Sequence, residues 1–358
     1  MSNEFVGTMP VQERHQFDVG HLEEYMQAHV EGFSGPLEVE QFKGGQSNPT
    51  FRLKGGDGTR YVMRRKPPGK LLPSAHAVDR EYRVITALRD TDVPVPRTYC
   101  LCEDDDVIGT AFYIMEYKEG RVIWDQTLPD MDNAGRRAVY EEMNRVIAAL
   151  HNVDFKAIGL DDFGKHGEYV ARQIHRWSKQ YRASETETIP EMNRLMEWLP
   201  EHIPESDKTA TAIVHGDYRL DNLMFHPTEP RIIAVLDWEL STLGHPLADF
   251  AYHCMSWHIP ADLMRGIGGV DVASLGIPTE QEYVQLYRRN TGRAEIGQDE
   301  WDFYMAYNLF RIAAISQGIM GRVKDGTAAS EHAVEAGKRA RPMAELAWKQ
   351  VQKILDRR

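Results

Sequence analysis

The sequence predicts an α+β protein in which a small β-rich part precedes a large helical part. Short alternating apolar runs bounded by glycine-rich turns fill the first third of the chain, and long stretches of helical periodicity fill the remainder. The pattern changes near Tyr117. We therefore divide the 358 residues into a lead-in with a short helix (1–29), a small lobe (30–117) and a large lobe (118–358).

The small lobe is predicted to be a mostly antiparallel sheet that carries one helix. Glycine-rich stretches at 44–45 and 54–58 provide turns between strands. A helix over 77–88 would place Val84 and Leu88 on one apolar side. The strand-like runs are 37–42, 50–53, 60–65, 98–101 and 111–115.

The large lobe is predicted to be mainly helical, with two short apolar strands at 212–215 and 232–236. The strands lie between helical patterns, which is typical of an α+β arrangement. The predicted helices are 138–153, 170–182, 190–199, 281–290, 301–320 and 331–356.

Composition excludes several classes of protein. The net charge of −12, from 42 basic and 54 acidic residues, argues against a nucleic-acid partner. No apolar stretch approaches the roughly 20 residues that span a bilayer, and residues 1–16 lack a secretory signal pattern. We therefore expect a cytoplasmic protein without a membrane partner. The three cysteines have neither zinc-site spacing nor a disulfide framework.

Two short apolar strands each deliver a carboxylate at their end. Asp217 follows the first strand, and Asn222 comes five residues later; Asp237 follows the second strand. Phosphoryl transfer from ATP needs a group that orients the acceptor hydroxyl and oxygen ligands that hold Mg²⁺. The spacing of Asp217, Asn222 and Asp237 is therefore compatible with phosphoryl transfer from ATP.

The run His-Gly-Asp-x-x-x-x-Asn at 215–222, followed by Asp-Trp-Glu at 237–239, resembles the aminoglycoside phosphotransferase and choline kinase superfamily. The resemblance implies a protein-kinase-like fold of two lobes, with ATP as the phosphate donor and Mg²⁺ as cofactor. It also implies that Asp217 is the catalytic base or orients the hydroxyl, and that Asn222 and Asp237 are the Mg²⁺ ligands.

Two further residues near this motif, His215 and Asp249, are expected to be structural, and His245 departs from the family pattern. His215 is more often a packing and hydrogen-bonding residue than a base at such a position. Asp249 resembles the family acid that braces the catalytic loop, and His245 stands where that family usually has Asp.

The nucleotide side is predicted from a loop and a strand. The loop resembles the family's phosphate loop and contains Gly45, Gln46, Ser47 and Asn48. In the third predicted strand, the period of two places Val62, Arg64 and Lys66 on one face.

If this strand is aligned with the corresponding strand of protein kinases, Val62 would contact adenine. Arg64 would then take the place of the Lys that contacts the phosphates, and Lys66 is the alternative. Glu81, early in the helix 77–88, is the expected partner acid. Glu116 and Tyr117 would offer backbone groups to adenine. This side of the prediction depends more on the resemblance than on the residues themselves.

A cationic helix face points to an anionic acceptor. Arg172, Arg176 and Lys179 share one face of the helix 170–182 in a chain that is otherwise acidic. Such a face would attract an anionic substrate and repel polycationic aminoglycosides. Arg219 and Glu239, which follow the two strand-end carboxylates, are further candidate acceptor-binding residues.

A closer resemblance supports the same expectation. Segments 45–50, 71–77, 176–181 and 215–222 resemble the kinase-like domain found fused ahead of certain acyl-CoA dehydrogenases, and the likeness spans roughly 30–340. It implies a role in phosphorylating hydroxylated acyl chains such as 4-hydroxyacyl-CoA, here in a stand-alone form.

Three hypotheses remain open from the sequence. The first is a kinase for a hydroxyl of a small anionic molecule, such as a hydroxyacyl-CoA. The second is an antibiotic phosphotransferase for a cationic aminocyclitol, which requires an acidic acceptor pocket. The third is a nucleotide-binding regulatory pseudokinase, against which the presence of Asp217, Asn222 and Asp237 argues. A homodimer is compatible with all three.

Overall fold

The computed structural model describes residues 7–43, 48–67, 77–328 and 332–358. The chain divides into two compact units. The first comprises Met1–Trp124 and Asp221–Ser241, and the second comprises Asp125–Leu220 and Thr242–Arg358. Helices and strands are numbered in chain order within the described ranges.

The first unit contains an antiparallel main sheet, several helices and a smaller sheet. Its elements are β1 (Thr8–Met9), α1 (Val19–His29), β2 (Glu38–Phe42), β3 (Thr50–Lys54), β4 (Arg60–Arg65), α2 (Val78–Leu88), β5 (Thr98–Cys102), α3 (Asp105–Ile108), β6 (Phe112–Glu116), β7 (Arg121–Val122), β9 (Leu223–Phe225) and β10 (Ile232–Val235). The main sheet has the order β1-β2-β3-β4-β6-β5, and β7, β9 and β10 form a separate sheet. The strands and the helix α2 predicted from the period-two and helical patterns are confirmed, with ends that differ by one residue.

The core of the first unit lies between α1 and the main sheet. Leu22 and Met26 of α1 are buried with Phe51, Met63 and Phe112 from successive strands. Burying such side chains is the main favourable term in folding. The helix in the predicted lead-in is therefore part of the core of this unit.

The division into units differs from the predicted lobes in two respects. Residues 221–241, assigned from the sequence to the large lobe, belong to the first unit. The reason is strand pairing, because β9 pairs with both β7 and β10. The first part of this unit also extends to Trp124 rather than to Tyr117.

The second unit is mainly helical and contains one two-stranded sheet. Its elements are α4 (Asn133–Asn152), α5 (Tyr169–Ala183), α6 (Pro190–Glu201), β8 (Ala212–Val214), β11 (Thr242–Gly244), α7 (Pro246–Cys254), α8 (Glu280–Thr291), α9 (Gln298–Lys324), α10 (Ala333–Lys338) and α11 (Ala340–Asp356). Every residue from Trp301 to Ala314 is buried, so α9 forms the centre of the unit. Within the described ranges no helix combines the length and the apolarity needed to cross a bilayer.

The predicted single helix over 331–356 is wrong, because the structure has α10 and α11 separated at Arg339. Gly337 lies near the end of α10, and Met320 of α9 comes within 3.0 Å of the position that a Cβ on Gly337 would take. The close packing of α10 on α9 therefore requires a glycine, a residue that weakens a helix.

Candidate active site

The loop that follows β8 carries Asp217. β8 pairs with β11 in antiparallel register, with Val214 opposite Thr242. Gly216 has a φ of +83°, a left-handed conformation that residues with a side chain rarely adopt. Its carbonyl oxygen accepts a hydrogen bond of 3.0 Å from Arg311 Nη2 on α9. A glycine and a cation from α9 thus define the shape of this loop.

Asp249 on α7 braces the same loop, as the sequence predicted. Its carboxylate accepts hydrogen bonds from the backbone N–H groups of His215 and Gly216, each at 2.8 Å. His151 Nε2 lies 3.2 Å from this carboxylate, and His151 Nδ1 lies 2.7 Å from the Tyr287 hydroxyl. Burial alone would raise the pKa of Asp249, but His151 and the backbone donors outweigh burial and hold the pKa below its ordinary value. The loop therefore rests on an ionised carboxylate.

Two side chains hold the carboxylate of Asp217. The Tyr252 hydroxyl donates to Asp217 Oδ1 at 2.5 Å, and Arg219 Nε lies 3.3 Å from the same oxygen. The Asp217 side chain is 19% exposed, so it is partly accessible. Burial raises the pKa of Tyr252, and the charge of Asp217 raises it further. Tyr252 is therefore a protonated phenol that donates to the carboxylate of Asp217.

The two histidines near the motif make structural contacts. His215 is fully buried, and its Nδ1 accepts a hydrogen bond from the N–H of Asp217 at 3.2 Å. His245 accepts from the N–H of Leu247 through Nδ1 at 3.2 Å, and its Nε2 lies 3.0 Å from the Tyr304 hydroxyl. Burial lowers the pKa of His245 to about 3. His245 is thus a neutral ring that caps α7, a task that an Asp at this position also performs well.

In the first unit, Asn222 and Asp237 flank the hairpin of β9 and β10. Val235 pairs with Leu223, and the N–H of Leu236 donates to the carbonyl oxygen of Asn222 at 2.8 Å. Asp237 has φ 64° and ψ 61°, in the left-handed region. A residue with a side chain stores strain in that region, and such strain is concentrated at functional sites.

Arg64 on β4 links Asp237 to a buried acid on α2. Its Nη2 lies 3.1 Å from Asp237 Oδ1, and its Nε lies 3.1 Å from Glu81 Oε2. Glu81 is 1% exposed and accepts hydrogen bonds from Asn48 Nδ2 at 2.7 Å and from the Tyr113 hydroxyl at 3.0 Å.

The charge on Arg64 is secured by its acidic neighbours. Burial acts to lower the pKa of Arg64, but Glu81 and Asp237 outweigh burial, so the pKa lies above its ordinary value. Burial raises the pKa of Glu81, and Arg64 opposes that rise. Arg64 is therefore a fixed cation beside Asp237.

The side-chain oxygen atoms of Asn222 and Asp237 are suitable ligands for Mg²⁺. An amide oxygen and a carboxylate are hard oxygen ligands, and Mg²⁺ binds through one or two such groups together with water and phosphate oxygens. Arg64 contacts Oδ1 of Asp237, and among the described residues no hydrogen bond to Oδ2 is formed. One carboxylate oxygen therefore remains available for a cation.

Gly45, Gln46 and Ser47 of the predicted phosphate loop lie outside the described residues. Asn48, predicted to cover the phosphates, is instead fully buried, because its side-chain amide donates to Glu81. Asn48 therefore supports the acid that pairs with Arg64.

The other predicted nucleotide residues lie on β4 and at the end of β6. Val62 is 8% exposed and shares the strand face of Arg64. The Glu116 N–H donates to the carbonyl oxygen of Arg97 at 2.7 Å, so any adenine contact of Glu116 would use its carbonyl oxygen. The Tyr117 ring lies under the guanidinium of Arg60 at 4.4 Å. The pair with Glu81 is formed by Arg64 and, among the described residues, not by Lys66.

The predicted acceptor residues are either half-buried or exposed. Arg172 donates to two carbonyl oxygens of the loop that precedes α5, so it fastens that loop. Arg176 and Lys179 are exposed on α5. Arg219 contacts Asp217 in the second unit, whereas Glu239 lies half-buried on the 3₁₀ helix Trp238–Leu240 in the first.

A family model described as the phosphotransferase enzyme family matches residues 38–294. The chain belongs to this family. The match includes Asp217, Asn222 and Asp237, and it ends before α9. The resemblance predicted from the sequence is therefore confirmed.

Relatives of this phosphotransferase family member have two kinds of name. Acyl-CoA dehydrogenase family member 10 of Mus musculus is 48% identical over 344 residues, which cover 95% of this chain and 32% of the relative. The chain thus spans about a third of that relative. A protein of Ralstonia eutropha JMP134, provisionally named an aminoglycoside phosphotransferase, is 62% identical, with a TM-score of 0.88 over 94% of this chain and 99% of that one.

A more distant structure confirms the fold. A thermostable mutant of an aminoglycoside phosphotransferase, solved in a ternary complex with AMP-PNP and hygromycin B, has a TM-score of 0.56 at 16% identity, over 91% of this chain and 98% of that one. The likeness shows the α+β fold of kinase-like phosphotransferases, as the sequence predicted.

Three residues of these clusters were not found from the sequence of this phosphotransferase family member. Tyr113 and Tyr252 have no motif of their own, although Tyr252 lies three residues after Asp249 and hence near the same face of α7. Arg311 stands within the apolar run Leu309–Ala314, where a cation is unusual. That contrast is a sequence signal for a special role.

Proposed function

We propose that this protein transfers the γ-phosphate of ATP to a hydroxyl group of a small anionic molecule, with a hydroxyacyl-CoA as the acceptor. The observation that carries the proposal is the geometry of Asp217. Its partly exposed carboxylate is held by Tyr252 and Arg219 at the end of a loop that Asp249 braces. A carboxylate fixed in this way can orient a hydroxyl and accept its proton.

In the proposed reaction the acceptor oxygen forms a bond to the γ-phosphorus, and the bond from that phosphorus to the β,γ-bridging oxygen breaks. The hydroxyl proton passes to Asp217, and ADP leaves. Asn222 and Asp237 would hold Mg²⁺, which would neutralise phosphate charge. Arg64, kept cationic by Glu81, would stabilise charge that develops on the phosphates.

Charge and relationship support the choice of acceptor. Arg176 and Lys179 are exposed cations on α5 in a chain of net charge −12. The named mouse relative is an acyl-CoA dehydrogenase family member, of which this chain matches about a third. Both observations favour an anionic acyl-CoA over a polycationic aminoglycoside.

An ATP-consumption assay over hydroxyacyl-CoAs, amino sugars and amino alcohols tests the proposal, with the product identified by mass spectrometry. We expect turnover with hydroxyacyl-CoAs. A preference for amino sugars would favour an antibiotic phosphotransferase, the function in the provisional name of the Ralstonia protein. Binding of ATP without turnover of any acceptor would favour a regulatory pseudokinase.

Asp217→Asn tests the assignment of the base. We expect kcat to fall by about 10²–10⁴-fold, the range typical of a lost general base, while calorimetry still detects binding of Mg-ATP. Asp262→Asn, which changes an exposed aspartate of the same unit, is the control and should keep the wild-type kcat. Wild-type turnover in Asp217→Asn would refute the proposed role.

A further inference from the structure

Arg311 is a buried cation at the centre of the second unit. It is 8% exposed, and its Nη2 donates to the carbonyl oxygen of Gly216 at 3.0 Å. Its Nε has no hydrogen-bond partner among the described residues, and within the same ranges the guanidinium forms no ion pair with a carboxylate. Burying a charge without an acidic partner costs free energy, so such a residue calls for an explanation.

The surroundings of Arg311 place it beside the proposed base. Its guanidinium lies 5.0 Å from the ring of Tyr252, whose hydroxyl donates to Asp217. On another side it lies 5.9 Å from the ring of Trp177, and the guanidinium of Arg176 lies 5.4 Å from the same ring. Two cations thus share one indole near the residue that would orient the acceptor hydroxyl.

A second polar group near Arg311 also lacks a partner. Tyr307, one helical turn earlier on α9, is 1% exposed, and its hydroxyl forms no hydrogen bond with the described residues. Buried polar atoms are nearly always satisfied, and exceptions concentrate where a ligand or a water binds. The helix α9 therefore presents two unsatisfied donors close to the loop of Asp217.

Bracing of the loop does not by itself explain this arginine. A neutral amide could donate to the carbonyl oxygen of Gly216 without the cost of a buried charge. The carboxylate of Asp217 already has Tyr252 and Arg219 as partners. Burial acts to lower the pKa of Arg311, but the neighbouring tyrosines and the carboxylate of Asp217 favour its charged form, so the pKa lies above the ordinary value. A fixed cation of this kind suits an oxygen acceptor on a bound molecule.

We propose that Arg311, assisted by Arg176, binds the carboxyl end of the phosphate acceptor and thereby selects the substrate. The group bound would be the carboxylate of a hydroxy acid or the thioester carbonyl oxygen of its CoA ester. This inference rests on the proposed function and names the group that its acceptor site recognises. It also explains why a cationic aminoglycoside would be a poor substrate, since a fixed cation repels it.

The test compares acceptors that share a hydroxyl and differ at the other end: a hydroxy acid, its CoA thioester, and the diol in which the carboxyl group is reduced. For the wild type we expect kcat/KM to be at least about 100-fold higher for the preferred carboxyl compound than for the diol, as for a lost charged contact. Comparing kcat/KM for the acid with kcat/KM for its CoA thioester shows whether the site prefers a carboxylate or a thioester carbonyl group. In Arg311→Gln the preference over the diol should fall to within about 3-fold.

Three further variants keep the test decisive. Arg311→Lys retains the charge and should raise KM for the carboxyl compound by at least 5-fold while KM for ATP changes less than 2-fold. Arg176→Gln changes an exposed residue and should raise KM for the acceptor by a few fold. If Arg311→Gln does not fold, Arg311→Lys and Arg176→Gln test the proposal in its place. Arg322→Gln, an exposed arginine near the end of the same helix, is the control and should keep the wild-type preference.

The outcomes separate this inference from the proposed function. If the wild type phosphorylates none of the carboxyl compounds, the proposed function fails and this inference with it. If the wild type prefers them and Arg311→Gln slows all acceptors equally, with the preference intact, then Arg311 only braces the loop and the inference alone is overturned. Loss of the preference in the folded variant supports it.

Discussion

Buried histidines make the stability of the second unit sensitive to mild acid. His245 and His253 are at most 7% exposed, and burial lowers their pKa values to about 3 and about 4. Burial also lowers the pKa of His151. In an unfolded chain each ring returns to an ordinary pKa of about 6.5. We therefore predict that this unit loses stability as the pH falls from 7 to 5.

The sign and the size of the loss follow from proton binding. Below pH 6.5 and above the folded pKa values, the unfolded chain binds protons that the folded unit does not, so acid favours unfolding. At pH 5 His245 and His253 each lower the free energy of unfolding by about 2 kcal/mol relative to pH 7, and by about 4 kcal/mol together. A domain is stable by about 5–15 kcal/mol, so this is a large fraction.

Urea unfolding followed by circular dichroism at pH 7 and pH 5 measures the effect. His253→Gln removes one titrating ring, so its loss of stability between these pH values should be about 2 kcal/mol smaller than that of the wild type. His29→Gln, on the exposed side of α1, is the control and should keep the wild-type difference. The pKa of Glu81 is raised in the folded protein, so at this group acid favours the folded state. Glu81 is present in the wild type and in both variants, so its contribution cancels when their stability differences are compared. If His253→Gln loses as much stability between pH 7 and pH 5 as the wild type does, the reasoning is refuted.

Two further substitutions test contacts around the proposed catalytic groups. Tyr252→Phe removes the hydroxyl 2.5 Å from Asp217 Oδ1, and since a hydrogen bond to a charged group contributes about 1.5–3 kcal/mol, kcat should fall about 10–100-fold in steady-state assays. Tyr99→Phe, in the first unit, should keep the wild-type kcat, and an unchanged kcat in Tyr252→Phe would exclude a positioning role. Glu81→Gln removes the buried acid of Arg64, so the free energy of unfolding should fall by about 3 kcal/mol and KM for ATP should rise. Values equal to those of the wild type would show that this ion pair supports neither stability nor nucleotide binding.

The sequence predicted those features that depend on local spacing. Alternating apolar residues identified β3, which buries Phe51 and Leu53 on one face. The interval between Asp217 and Asn222 marked the loop. The period of a strand placed Arg64 and its alternative, Lys66, on one face, and Arg64 pairs with Glu81. Each of these patterns spans only a few residues along the chain.

Features that depend on distant parts of the chain were not predicted. The pairing of β9 with β7 was missed because strand partners are chosen by contacts between remote segments. Arg311 lies far along the chain from Gly216, so no spacing connects them. The burial of Asn48 was missed because a polar residue in a glycine-rich turn is usually exposed, and here it satisfies Glu81.

The first unit is built from two separate stretches of the chain, with part of the second unit between them. This arrangement limits which segments of the gene can be transferred without disrupting a unit. A fragment that ends at Trp124 would leave β7 without its neighbour β9 and would lack Asn222 and Asp237 altogether. Gene fusion or domain shuffling must therefore move both units together, with the junction outside them. The alignment with the much longer mouse relative covers 95% of this chain, so it takes in both stretches of the first unit.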